Sequence, residues 1–89
     1  MKGPGRGHQW AARAAERARR QQDVARRVPT PTAAVRMLRA LDADRAAGRL
    51  GDAQYAAQRG QLATDVEARG AWFVKRVHTL LTLPDLPPW

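Results

Sequence analysis

The sequence predicts an all-α fold of three helices. Three observations carry that prediction. Apolar residues recur at helical rather than alternating spacing, alanine and arginine crowd the first half of the chain, and prolines and glycines punctuate long unbroken stretches. The expected architecture is a basic N-terminal helix followed by an antiparallel helical hairpin whose second arm is long.

Residues 1–8, MKGPGRGH, hold three glycines and a proline, and read as a flexible basic arm that includes Arg6. Residues 9–28 read as the first helix. Trp10, Ala14, Ala18, Ala25 and Val28 fall on one side of its wheel, joined by Ala11 and Ala15. Arg13, Arg17, Arg20 and Arg27 cluster on the other, flanked by Arg19 and Arg26. Trp10 heads the alanine stripe and is expected in the core. Pro29 and Pro31 end this helix, because the residue before a proline is pushed out of helical geometry.

Thr30-Pro31-Thr32 marks the next start, with a threonine cap and a proline at the first helical position. The second helix is expected to reach about Ala47, with Ala34, Val35, Met37, Leu38 and Leu41 as its apolar face. Gly48 stands where a left-handed residue closes a helix, and Leu50 follows as its hydrophobic contact. Gly51-Asp52 supplies the turn and a capping carboxylate.

The third helix is expected over residues 53–81. Tyr55, Leu62, Val66, Phe73, Val77 and Leu80 share one side of a single wheel, in phase through Gly60 and Gly70. A bend or break near Gly70 is the alternative for this arm, and a strand over WFVKRVHTLLTL is a rival that lacks a partner strand. The remainder, LPDLPPW, reads as an extended proline-rich tail over residues 84–89, leaving 29–83 as the hairpin.

The corner between the second and third helices has a further resemblance. Leu38, Leu41, Asp44, Gly48-Arg49-Leu50, Asp52, Tyr55, Arg59 and Leu62 resemble the SHOCT-like short helical hairpin domain over about residues 35–66. Asp85-Leu86-Pro87 is similar to the ending of some of its relatives. Gln54 departs from the family's usual acidic residue before the aromatic. The resemblance implies an oligomerisation or interaction module without catalysis.

Composition bounds the function. With 89 residues the chain makes one domain, and a hydrophobic fraction of 44% that is largely alanine buries little. Cysteine and serine are absent, which excludes disulfides, thiolate metal sites and both nucleophiles. His8 and His78 have no acidic residue at ligand spacing, so no metal site is expected. Asp42 and Asp44, and likewise Asp65 and Glu67, stand two apart and diverge on a helix, so neither makes an acid/base pair. No nucleotide-binding motif occurs. The expectation is a non-enzymatic protein without cofactor. No apolar run approaches a membrane span, and a cytoplasmic protein without membrane association is expected.

The net charge of +8 points to a polyanionic partner. Residues 1–28 carry eight basic against two acidic residues, a net +6. Arginine supplies 14 of the 16 basic residues, a preference that GC-rich codon usage would also produce. The candidate phosphate-binding set is Arg6, Arg13, Arg17, Arg20 and Arg27, in a protein that contacts nucleic acid without sequence specificity. The alternative is a structural or adaptor subunit, phage-like in character, whose basic helix docks on an acidic protein surface. The candidate interface set is Tyr55, Leu62, Val66, Trp72, Phe73, Val77 and Leu80. A straight helix over 53–81 would reach about 40 Å and overhang its partner, so a homo-oligomer or a complex is expected.

Overall fold

The structure is a computed structural model that describes residues 4–88, with side-chain surroundings from Gln9 onward. It is all-helical, with four helices where the sequence predicts three. These are α1 (Pro4–Arg27), α2 (Pro31–Ala46), α3 (Asp52–Ala68) and α4 (Ala71–Leu81). Helix α1 starts at Pro4 and so runs through residues expected to form a flexible arm; residues 1–3 lie outside the described chain.

The α1–α2 corner forms as its local chemistry dictates. Pro29 stops α1, and Thr30, in an extended conformation (φ −136°, ψ 157°), caps α2 by accepting a 3.0 Å hydrogen bond from the Ala33 N–H at its Oγ1. Pro31 takes the first helical position, where its missing N–H costs nothing.

The α2–α3 corner is a glycine-closed turn. Gly48 sits at φ +78°, the Arg49 N–H donates to the Asp44 carbonyl (2.8 Å), and the Gly48 N–H donates to that of Arg45 (3.0 Å). Asp44 is held a second time, through its Oδ1, by the Arg49 Nε–H at 2.8 Å. Residue Gly51, not Asp52, is the N-cap of α3, and the Gln54 side chain accepts from its N–H at 3.3 Å. Asp52 instead opens the helix and pairs with Arg45 at 3.3 Å. Tyr55 then ties the two arms together. Its hydroxyl donates to Asp42 Oδ1 at 2.5 Å, and Arg45 lies 4.6 Å over its ring. Donation to that carboxylate raises the Tyr55 phenol above its ordinary value.

The expected long arm is broken at Gly70. This residue adopts φ 104°, ψ 167°, a region open essentially to glycine alone. The break lets α4 fold back and pack on both α2 and α3. Phe73, Val77 and Leu80 of α4 join Val28, Ala34 and Val35 in the core, with Leu62, Val66 and Leu86 against them. The segment proposed as a rival strand is therefore helical from Ala71 to Leu81. Met37, expected on the buried face of α2, is exposed.

After α4 the tail turns back along α2. Arg39 donates to the Leu83 carbonyl at 2.6 Å and Arg36 to that of Pro87 at 3.3 Å. Leu86 is seated against the core, so the described part of the tail is part of the fold. Trp89 lies outside the described residues.

Helix α1 docks by its C-terminal end alone. Val24 and Val28 are buried, whereas Trp10, Ala11, Ala15 and Ala18 are exposed. Its 24 residues run about 36 Å, so most of the helix projects beyond the bundle, and the described chain measures 63 × 29 × 16 Å. No helix among the described residues is long and apolar enough to cross a membrane.

Candidate nucleic-acid interface

The candidate interface starts from what the projecting part of α1 exposes. Alanine at residues 11, 12, 14, 15 and 18 keeps it helical but gives little to bury. Arginine side chains therefore dominate its surface. Arg13, Arg17 and Arg19 are exposed and have no ion-pair partner among the described residues. Arg20 is exposed too and meets Glu16 at 3.3 Å, one helical turn away. A pair this open to water contributes little and yields readily to a phosphate. Arg26 approaches Asp23 at 3.8 Å. Arg13, Arg17 and Arg20 follow one another at four- and three-residue steps, about 4.5–6 Å of rise each, on one flank of the helix. Arg6 lies within α1, and its side chain is outside the described surroundings.

Arg27 does not belong to this set. Its Nε and Nη2 donate to Asp65 Oδ2 and Oδ1 at 3.1 and 3.0 Å, a two-pronged bridge from α1 to α3. Asp65 is buried, its side chain 7% exposed, and takes a third bond from Gln61 at 3.1 Å. Donation by Arg27 holds the Asp65 carboxyl below the usual carboxylate range, against the opposing effect of burial. The arginine that looked most like the end of the phosphate-binding face is thus the clamp that holds α1 to the bundle.

The expected interface set divides. Phe73, Val77 and Leu80 are 3%, 7% and 1% exposed and form the core, so they are unavailable to a partner. The overhang expected to meet the first helix, a second copy or another protein is covered within the chain, because the turn at Gly70 returns α4 to α2. Tyr55, Leu62 and Val66 are half-buried and line an open groove of about 660 Å³ between α2, α3 and α4, whose apolar floor also includes Leu38 and Val74. Trp72 faces away from the core and is 72% exposed. Trp10, expected in the core, is 70% exposed, because the bundle ends before its level on α1 is reached.

Two residues of consequence escape the sequence reading. Asp65 carried a signal: it lies at i+3 from Leu62, at the edge of the apolar stripe of α3, where a carboxylate that becomes covered needs a partner. Val24 carried one as well, at i−4 from Val28, but the alanine stripe drew the apolar face to the neighbouring side of the wheel.

Comparison of the chain with protein-family models, with curated proteins and with solved structures gives no match.

Proposed function

We propose that this chain is a small non-enzymatic nucleic-acid-associated protein of the cytoplasm. Projecting arginines of α1 contact phosphates without reading sequence, and the α2–α3 hairpin mediates association. The observation that carries this reading is the separation of roles along α1. Its last turn, with Val24, Arg27 and Val28, is committed to the bundle, while Arg13, Arg17 and Arg20 stand clear of it on a rod that can lie along a polyanion. Arginine suits this task through its planar fork of donors.

Kinship with the SHOCT-like hairpin is part of the proposal. It is supported by the glycine-closed corner at Gly48 and by Gln54, which performs at the third helical position the capping task of an acidic side chain there. The groove lined by Tyr55, Leu62 and Val66 is the surface that hairpin association would use. The same groove favours a second reading, in which the chain is an adaptor subunit and α1 docks on an acidic protein surface.

Fluorescence anisotropy of a labelled duplex of about 20 base pairs, at about 50 and about 200 mM salt, tests the proposal. Binding is expected to weaken with a log–log salt slope that an Arg13/Arg17/Arg20→Gln variant makes shallower by about 3. Arg27→Gln is excluded from the variant because it would loosen α1. Absence of binding at the lower salt, to this duplex and to its separated strands alike, would reject nucleic acid and leave the adaptor reading.

A further inference from the structure

The tryptophan left in the open on α4 has neighbours that say what it can hold. Trp72 shares its flank of the helix with Arg76 and Thr79, at i+4 and i+7, and Lys75 adjoins at i+3. Neither Lys75 nor Arg76 has an ion-pair partner among the described residues. The first turn of α4 is fixed in place: Arg69, just before it, donates to the Pro29 carbonyl at 3.1 Å and lies 5.0 Å over the Phe73 ring. Trp72 therefore stands on a rigid element, at the end of the bundle from which α1 departs.

An indole that anchors a protein interface sits among apolar neighbours, where lysine is depleted. On the flank of α4 that carries Trp72 the neighbours are instead Lys75 and Thr79, both exposed, and Arg76, which is half-buried. An aromatic face beside unpaired cations suits a flat, electron-rich ring attached to phosphates. Trp10 repeats the arrangement on α1, with Arg13 and Arg17 at i+3 and i+7 and 70% of its surface open. Paired bases inside a duplex have no free face to offer, so the stacking partner is an unpaired base.

We infer that the nucleic acid is single-stranded, with a base stacked on Trp72 while Lys75 and Arg76 hold the adjoining phosphates. This rests on the phosphate-binding reading of α1 and adds the form of the ligand. The test compares a labelled single-stranded oligodeoxythymidine of about 20 nucleotides with a duplex of equal length at about 50 mM salt. Proteins compared are the full chain and its Trp72→Ala, Trp72→Phe and Lys75/Arg76→Gln variants, each checked by circular dichroism. In a Trp10→Phe/Trp89→Phe background, saturating the single strand is expected to quench the remaining indole emission. Trp72→Ala is expected to weaken single-strand binding about 5-fold or more, with Trp72→Phe retaining most of it and duplex affinity unchanged within about twofold. Duplex binding that depends on the α1 arginines, together with single-strand binding indifferent to Trp72→Ala, would overturn this inference and leave the phosphate reading standing. Failure to bind either form would overturn both and assign the exposed indole to a protein partner.

Discussion

A single carboxylate decides how α1 is held. Asp65 is buried and accepts three hydrogen bonds, two from Arg27 and one from Gln61. Because its folded-state pKa is depressed, the stability it supplies is fully present above the unfolded-state value of about 3.9 and is lost as pH falls through the folded value. Stability is therefore expected to be flat from neutral pH to about pH 5 and to fall below about pH 4, with a smaller fall in Asp65→Asn. At neutral pH Asp65→Asn is expected to cost about 1–2 kcal/mol, the low end for a charged hydrogen bond because the arginine is half open to water. Urea unfolding of both proteins across this range checks it; equal acid slopes would remove the clamp from the account. At this scale the sequence was only partly legible. A carboxylate at the edge of an apolar stripe hints that a partner exists, but not that the partner lies 38 residues away on another helix.

Among the elements, caps and corners were the most legible features, because their chemistry is local. Thr30 before Pro31 and Gly48 after α2 each act within a few residues and perform as the sequence indicates, whereas the cap expected of Asp52 falls to Gly51. Continuity of the last arm was not legible in the same way. Helical phase runs unbroken through Gly70 because α3 and α4 both turn their apolar sides to α2, so periodicity alone does not register a turn between them. The two glycines of that arm therefore make opposite predictions. Gly70→Ala is expected to cost about 1–3 kcal/mol, all of it backbone strain, since nothing lies within 4 Å of the added methyl. Gly60 lies inside α3 with equal room, and Gly60→Ala is expected to stabilise by about 0.5–1 kcal/mol. Thermal unfolding of the two variants measures both; a stabilising Gly70→Ala would mean that α3 and α4 run on as one helix.

For the molecule as a whole, the described chain has a Cα radius of gyration of 17.6 Å, against about 12 Å for a compact chain of this length. Small-angle scattering at low concentration is expected to report the larger value, and a value near the compact one would show α1 folded onto the bundle. This extension explains why the candidate site was half legible. Arginine crowds α1 as the sequence indicates, but the alanine stripe sets Trp10 opposite Arg13 and Arg17, which share its flank at i+3 and i+7, and a helical wheel does not show where along the axis the supporting bundle stops. A wheel equally omits tertiary partners, so neither the exposure of Trp10 nor the bridge from Arg27 to Asp65 follows from it. The projecting helix also has a mechanical consequence. A rod gripped at one end is a lever, so a slight rocking at the Val24–Arg27–Val28 grip sweeps Trp10 and the outer arginines through a wide arc. Such a tip can reach for an anionic strand in many relative poses before the rest of the molecule has come to bear.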